Sequence, residues 1–201
     1  MSGEGESRKV RKIETPVIIA MKGHPGSGKS TLAKCIASSL KIALLDKDDI
    51  KDCTVSLQPH LTLTSPGSIL NDLSYHAIWQ VASTQLRLRL SVILDSPLSR
   101  RAHLDHLRRL ADSAAARLLL IECRPADRAE WRRRLEERGG GGGGHKPASW
   151  EELEKLVEGY AGCTEYDVGD VPKLVVDTTA KVPLEEICSA ALDFIYAHAE
   201  V

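Results

Sequence analysis

Short apolar runs recur along the chain at Val17 to Met21, Ile42 to Leu45, Val92 to Leu94, Leu118 to Ile121 and Leu174 to Val176, each followed by a helical pattern or a turn. Runs this short and this evenly apolar show no polar face to water. They predict an α/β fold, a parallel sheet covered by helices on both sides in three layers. After the first run, Leu32, Ile36 and Leu40 repeat at fourfold spacing, one face of a helix that can lie on the sheet. Ser68 to Leu88 carries Leu70, Leu73, Ile78 and Val81, and Arg101 to Ala111 carries Leu104, Leu107 and Leu110; both stretches predict helices over strands. Ser149 and Glu152 form a capping box that opens a helix toward Tyr160, and Pro183 suits the first turn of a last helix carrying Leu184, Ile187, Ala191 and Phe194.

These elements fill residues 15–201 as one domain, and the chain of 201 residues needs no second core. Residues 1–14 mix acids and bases without an apolar stretch, as expected of a flexible solvated tail and not of a secretory signal. Gly139 to Gly144 is six consecutive glycines, whose backbone entropy disfavours regular structure and predicts a flexible loop. With 42% hydrophobic but only 4% aromatic residues, the core must be aliphatic. The net charge of −1 supplies no field for holding nucleic acid, which is therefore not the expected partner. Pro97 to Arg138 does lean basic, with eleven Arg against seven Asp and Glu, an excess that either bound phosphates or a solvated helix face explains. Five cysteines without CxxC spacing fit a reducing, cytoplasmic setting without structural zinc. The seven histidines show no metal-ligand spacing, and no run approaches the roughly 18 apolar residues of a membrane span.

The chemistry concentrates after the first strand. Gly23, His24, Pro25, Gly26, Ser27, Gly28, Lys29 and Ser30 satisfy GxxxxGK[ST] between a predicted strand and a predicted helix that Thr31 continues. Such a loop turns backbone N–H groups around phosphate oxygens, with a lysine for the β and γ phosphates and a hydroxyl for Mg²⁺. It predicts binding of a nucleoside triphosphate, ATP with Mg²⁺, the latter held by Ser30. Four strands end in an acid, at Asp46, Asp95, Glu122 and Asp177, the edge at which open α/β sheets bind ligands. Of the three carboxylates just beyond the second strand, Asp46, Asp48 and Asp49, Asp48 is placed at the strand end as the candidate for orienting an acceptor hydroxyl and taking its proton, whereas a helix cap and first-turn acids would explain at least one of the three. Asp95 stands where a carboxylate would reach Mg²⁺ or its water shell, or would cap the next helix. Arg134 and Arg138 share a helix face and could grip phosphate together, unless the neighbouring glutamates engage them in exposed ion pairs. Tyr75 and Trp79 either line a substrate pocket or belong to the core.

Five stretches, GHPGSGKST, KDDIK at Lys47 to Lys51, ILDSPLSRR, WRRRLEERG and LVVDTT, resemble the small P-loop kinases grouped with AAA-type ATPases, whose relatives include chloramphenicol phosphotransferase, zeta toxins and polynucleotide kinase. The resemblance implies the P-loop NTPase fold with strand order 2-3-1-4-5 and a lid around 124–148. It implies a base at Asp48, a catalytic-centre carboxylate at Asp95, phosphate-holding Arg134 and Arg138, and a turn at Asp177, Thr178 and Thr179 that borders the adenine. The expected function is transfer of the γ phosphate of ATP to a hydroxyl of an unidentified small molecule. The competing expectations are a polynucleotide end kinase and a regulatory protein that binds ATP without transferring its phosphate.

Overall fold

The computed structural model describes residues 13–60, 66–138 and 146–199. The glycine tract and residues 1–12 of the expected tail lie outside the described residues. Ile13, also assigned to the tail, instead packs on the core.

The sheet has five strands, β1 (Val17–Lys22), β2 (Ala43–Asp46), β3 (Val92–Asp95), β4 (Arg117–Cys123) and β5 (Lys173–Val176), in the order β2-β3-β1-β4-β5. Every pairing is parallel. All six residues of central β1 are buried, whereas edge strands β2 and β5 are partly exposed. Alternation along β1 divides the core: Ile18 and Ala20 face one cluster, and Val17, Ile19 and Met21 face the other. The first cluster lies under α3 (Pro66–Arg87) and α4 (Arg101–Ser113), the second under α1 (Lys29–Leu40) and α7 (Leu184–Ala199). The expected three-layer architecture and strand order are therefore present.

Two helices turn differently from the expected stripes. On α3, Leu70 and Ile78 are buried, but Leu73 and Val81 are exposed, and Tyr75, Ala82 and Leu86 complete the inward face. Apolar residues occur on two sides of this helix, so periodicity alone selects the wrong pair. Tyr75 joins the core and Trp79 packs partly buried against it, in agreement with the core alternative. On α7 the buried line is Cys188, Ala191, Ile195 and Ala199, with Ile187 and Phe194 on its flank and Leu184 exposed.

The remaining helices are α2 (Lys47–Thr54), followed by a 3₁₀ turn over Val55–His60, α5 (Arg128–Arg138) and α6 (Trp150–Gly159). The capping box forms at α6: Ser149 Oγ accepts from Glu152 N at 3.2 Å, and Glu152 reaches back to Ala148 N at 2.7 Å. Ser149→Ala is expected to destabilise the chain by about 1 kcal/mol. Thermal denaturation should register this as a fall of roughly 2 to 4 °C in Tm.

Candidate active site

The C-terminal ends of β1, β2 and β3 open into a cleft of about 700 Å³ that every residue from Gly23 to Thr31 lines. The loop from β1 crosses to the β3 end, where Gly23 N donates to Pro97 O at 3.3 Å, and then tightens as Ser27 N donates to His24 O at 3.2 Å. Gly28 is the N-cap of α1 at φ 79, a left-handed conformation that glycine adopts without strain. A Cβ there would also stand 3.2 Å from Thr178 Cβ. This close approach lets the Thr178 hydroxyl donate to Ser27 O at 2.6 Å, which ties the loop to the end of β5. The unpaired N–H groups at the start of α1 thus face a site suited to phosphate.

His24 adds no cation to this cradle. Burial, then the neighbouring Lys22, holds its imidazole below the ordinary histidine range. The loop cation is Lys29, whose ammonium forms an ion pair with the fully buried Asp95. Asp95 caps no helix, because the residue at the N-cap of α4 is Arg100. Its Oδ1 takes Lys29, and its buried Oδ2 has no hydrogen-bond partner among the described residues. Parallel pairing sets Asp46 directly beside Asp95. Burial and then the Asp95 charge raise the Asp46 pKa above its ordinary value.

Asp46, and not Asp48, is therefore the acid at the end of β2. It caps α2 by accepting from Asp48 N at 2.9 Å. Asp48 lies two residues further on, in the first turn of α2, and still lines the cleft together with Asp46 and exposed Asp49. Lys47 Nζ at 2.6 Å and Lys146 Nζ at 2.9 Å contact its carboxylate. Burial alone would raise the Asp48 pKa, but these two lysines outweigh it and hold the carboxyl well below its usual range. Lys146 lies beyond the glycine tract and no local pattern links it to Asp48; only the folded chain brings them together.

Arg134 and Arg138 both line the cleft from α5. Arg134 makes the glutamate contact, Nε donating to Glu130 at 2.6 Å along the helix, while Nη1 donates to Thr178 O at 2.7 Å. Arg138 reaches Pro147 O at 3.4 Å. Several other arginines of Pro97 to Arg138 make ion pairs, Arg101 with Asp105, Arg108 with Asp170, Arg128 with Glu154 and Arg132 with Glu136. These pairs are of the kind the solvated-face explanation expects.

Of the expected turn, Asp177 is not among the residues that line the cleft. Its Oδ1 accepts from Ala126 N, Thr179 N and the Thr179 hydroxyl at 3.0, 2.9 and 2.6 Å, so three converging donors turn it away from the cleft and onto the root of α5. Thr178 does line the cleft, followed by Ala180, Val182, Leu184 and Ile187, an apolar end that the sequence reading missed. Glu122, the fourth strand-end acid, is structural, accepting from Lys22 at 2.6 Å and from Arg124 at 2.9 Å.

A divalent cation suits the residues present. Asp95 Oδ2, orphaned at the end of β3, and the hydroxyl of Ser30, a residue that lines the cleft, are hard oxygen donors. No cluster of three His, Cys, Asp or Glu able to hold a metal exists among the described residues. Few protein ligands match Mg²⁺, which keeps several waters and takes substrate phosphates as partners. No described helix is long and apolar enough to cross a membrane.

A family model described as an AAA domain, AAA_33, matches residues 18–162. Among solved structures, a sugar kinase from Janibacter sp. HTCC2649 superposes with a TM-score of 0.63 at 18% identity, covering 92% of this chain and 96% of that one. A gluconokinase from Sinorhizobium meliloti 1021 gives 0.59 at 22% identity, covering 94% and 96%. The APS kinase CysC of Mycobacterium tuberculosis, solved with AMPPNP and APS, gives 0.55 at 15% identity, covering 90% and 98%. These likenesses show a shared fold. No curated protein matches the chain.

Proposed function

We propose, from the premise that this chain belongs to the AAA_33 family of AAA domains, that it is a P-loop kinase moving the γ phosphate of ATP to a hydroxyl of a small molecule. The observation that carries the reading is the single cleft of about 700 Å³ shared by the phosphate loop, the carboxylates Asp46 and Asp48, and the cations Arg134, Arg138 and Lys146. Ligand pockets commonly measure about 300 to 1,000 Å³, so its size suits a nucleotide with a small acceptor. The names of the structural neighbours, two of them kinases of sugars or sugar acids, support the same class.

The polar loop would bind the triphosphate through its backbone N–H groups, and the apolar end at Ala180, Val182 and Leu184 would take the base beside Thr178. Lys29 exchanges Asp95 for phosphate oxygens as the nucleotide enters. Ser30 and Asp95 would hold Mg²⁺, which supplies charge neutralisation for the transferred group when bound. At the other end of the cleft, Asp48 orients the acceptor hydroxyl and takes its proton. Phosphoryl transfer has a loose transition state in which the proton leaves late, so orientation by a weakly basic carboxylate is sufficient. Arg134 and Arg138 stabilise the charge of the transferred phosphate.

Incubation with γ-labelled ATP, Mg²⁺ and a fractionated metabolite extract tests the reading, with label expected in a small organic product. Transfer to no fraction, by protein that binds ATP, would leave the regulatory alternative standing. Arg134→Ala is expected to lower kcat/KM for ATP about tenfold or more, as loss of a charge-assisted contact does, with Tm little changed. A wild-type kcat/KM in this variant removes Arg134 from the site.

A further inference from the structure

The loop that would cradle the phosphates is tightened from within by Ser27 N donating to His24 O at 3.2 Å, a bond that leaves the Pro25–Gly26 peptide between them to other contacts. Its tip is His24, Pro25 and Gly26, and Gly26 has a φ of +75. With glycine on one side, the Pro25–Gly26 peptide plane can turn over at little steric expense. In a trans peptide the C=O and the N–H point in opposite directions, so a turned plane would aim the Pro25 carbonyl where an N–H is needed for phosphate.

One contact from outside the loop sets this plane. The Trp131 indole Nε1–H donates to Pro25 O at 2.9 Å. By drawing the carbonyl outward to α5, it leaves the Gly26 N–H on the opposite side, toward the cleft that Gly26 lines. Trp131 is itself held, edge-on to Trp150 at 5.2 Å and in a small cluster with buried Leu135 and Leu153. The approach also needs glycine at 26, since a Cβ there would meet Trp131 Nε1 and Leu135 Cδ1, both at 3.1 Å.

We infer that Trp131 is a positioning residue for triphosphate binding, fixing the Pro25–Gly26 peptide so that its N–H serves the phosphates. The inference rests on the reading of this loop as a triphosphate site. It assigns to α5 a second task beside presenting Arg134: the lid helix shapes the phosphate loop itself. Since the effect is on the loop and not on the base, it falls equally on any ligand carrying the polyphosphate.

The test is calorimetric titration of the full chain with ATP and, separately, with inorganic tripolyphosphate. Trp131→Phe removes the donor but also trims the ring. A second protein therefore carries 3-benzothienylalanine at position 131 alone, an analogue with the indole shape and sulfur in place of N–H. Both variants should bind ATP and tripolyphosphate about 3- to 10-fold more weakly, the size of one lost hydrogen bond, with kcat within about twofold of wild type and KM for ATP raised to match. The benzothienyl protein should keep its wild-type Tm. Unchanged affinity in that protein overturns the inference, while the nucleotide reading stands if wild type binds and Lys29→Ala does not. A loss confined to ATP, with tripolyphosphate unaffected, also overturns it, because the peptide plane cannot act through the base. Binding of neither ligand by wild type sinks the nucleotide reading and the inference with it.

Discussion

Lys29→Ala is expected to abolish phosphate transfer, by about 10³-fold or more, and to destabilise the protein as well. The first effect follows from removing the loop cation opposite developing phosphate charge, where a single lost donor already lowers rates about 10² to 10³-fold. The second follows from the ion pair. Asp95 is 0% exposed and Lys29 is its partner. Removing one member of a buried pair typically costs about 3 to 5 kcal/mol, because the other charge stays buried and uncompensated. For a chain of this size that is a fall of roughly 10 °C in Tm. The double variant Lys29→Ala/Asp95→Asn separates the two effects. It removes the stranded charge and should recover most of the lost Tm while transferring no phosphate. Recovery of transfer along with Tm would mean that Lys29 acts only through folding, and that the loop is not catalytic.

Asp48→Asn should transfer phosphate about 10² to 10⁴-fold more slowly while binding ATP nearly as well as wild type, since asparagine keeps the shape but cannot take the proton. The control is Asp46→Asn, because Asp46 is the strand-end acid that stands beside Asp95 and caps α2. The pH dependence of kcat/KM distinguishes them independently. A carboxylate base works deprotonated, so the rate falls as pH drops through its folded pKa. Lys47 and Lys146 hold Asp48 well below the usual carboxylate range, so with Asp48 as base the profile stays flat through weakly acidic pH. Burial and Asp95 raise Asp46, so with Asp46 as base an acid limb enters above the ordinary value of about 3.9. An acid limb together with inactive Asp46→Asn and active Asp48→Asn would move the base to the end of β2.

Lys146 gives the Asp48 assignment a partner that reaches it only in the folded chain. The lysine joins the segment beyond the glycine tract to α2 and lines the cleft together with Arg138. Its removal frees one face of Asp48 and should raise the pKa of that carboxyl toward its ordinary value.

What the sequence by itself determined is what contiguous residues can specify. The phosphate-loop motif is eight consecutive positions between a strand and a helix, so it is legible without reference to any distant residue. The five apolar runs and the capping box at Ser149 are likewise local, and each forms where expected. Strand order was legible only through resemblance to a family, since periodicity shows which face is buried but not which strand lies alongside. The tertiary structure alone decided where side chains from distant segments meet. It set Asp48 inside α2, between Lys47 and Lys146, a pairing that joins segments about a hundred residues apart. It joined Asp177 to Ala126 and Thr179, whose three donors hold its Oδ1 at the root of α5. It selected Leu70 and Ile78 over Leu73 and Val81 as the inward face of α3, since an apolar residue is buried only where a neighbour covers it. It also brought the Trp131 indole to the Pro25 carbonyl, a hydrogen bond between groups with no shared period or spacing, whose partners become neighbours only when α5 folds over the loop.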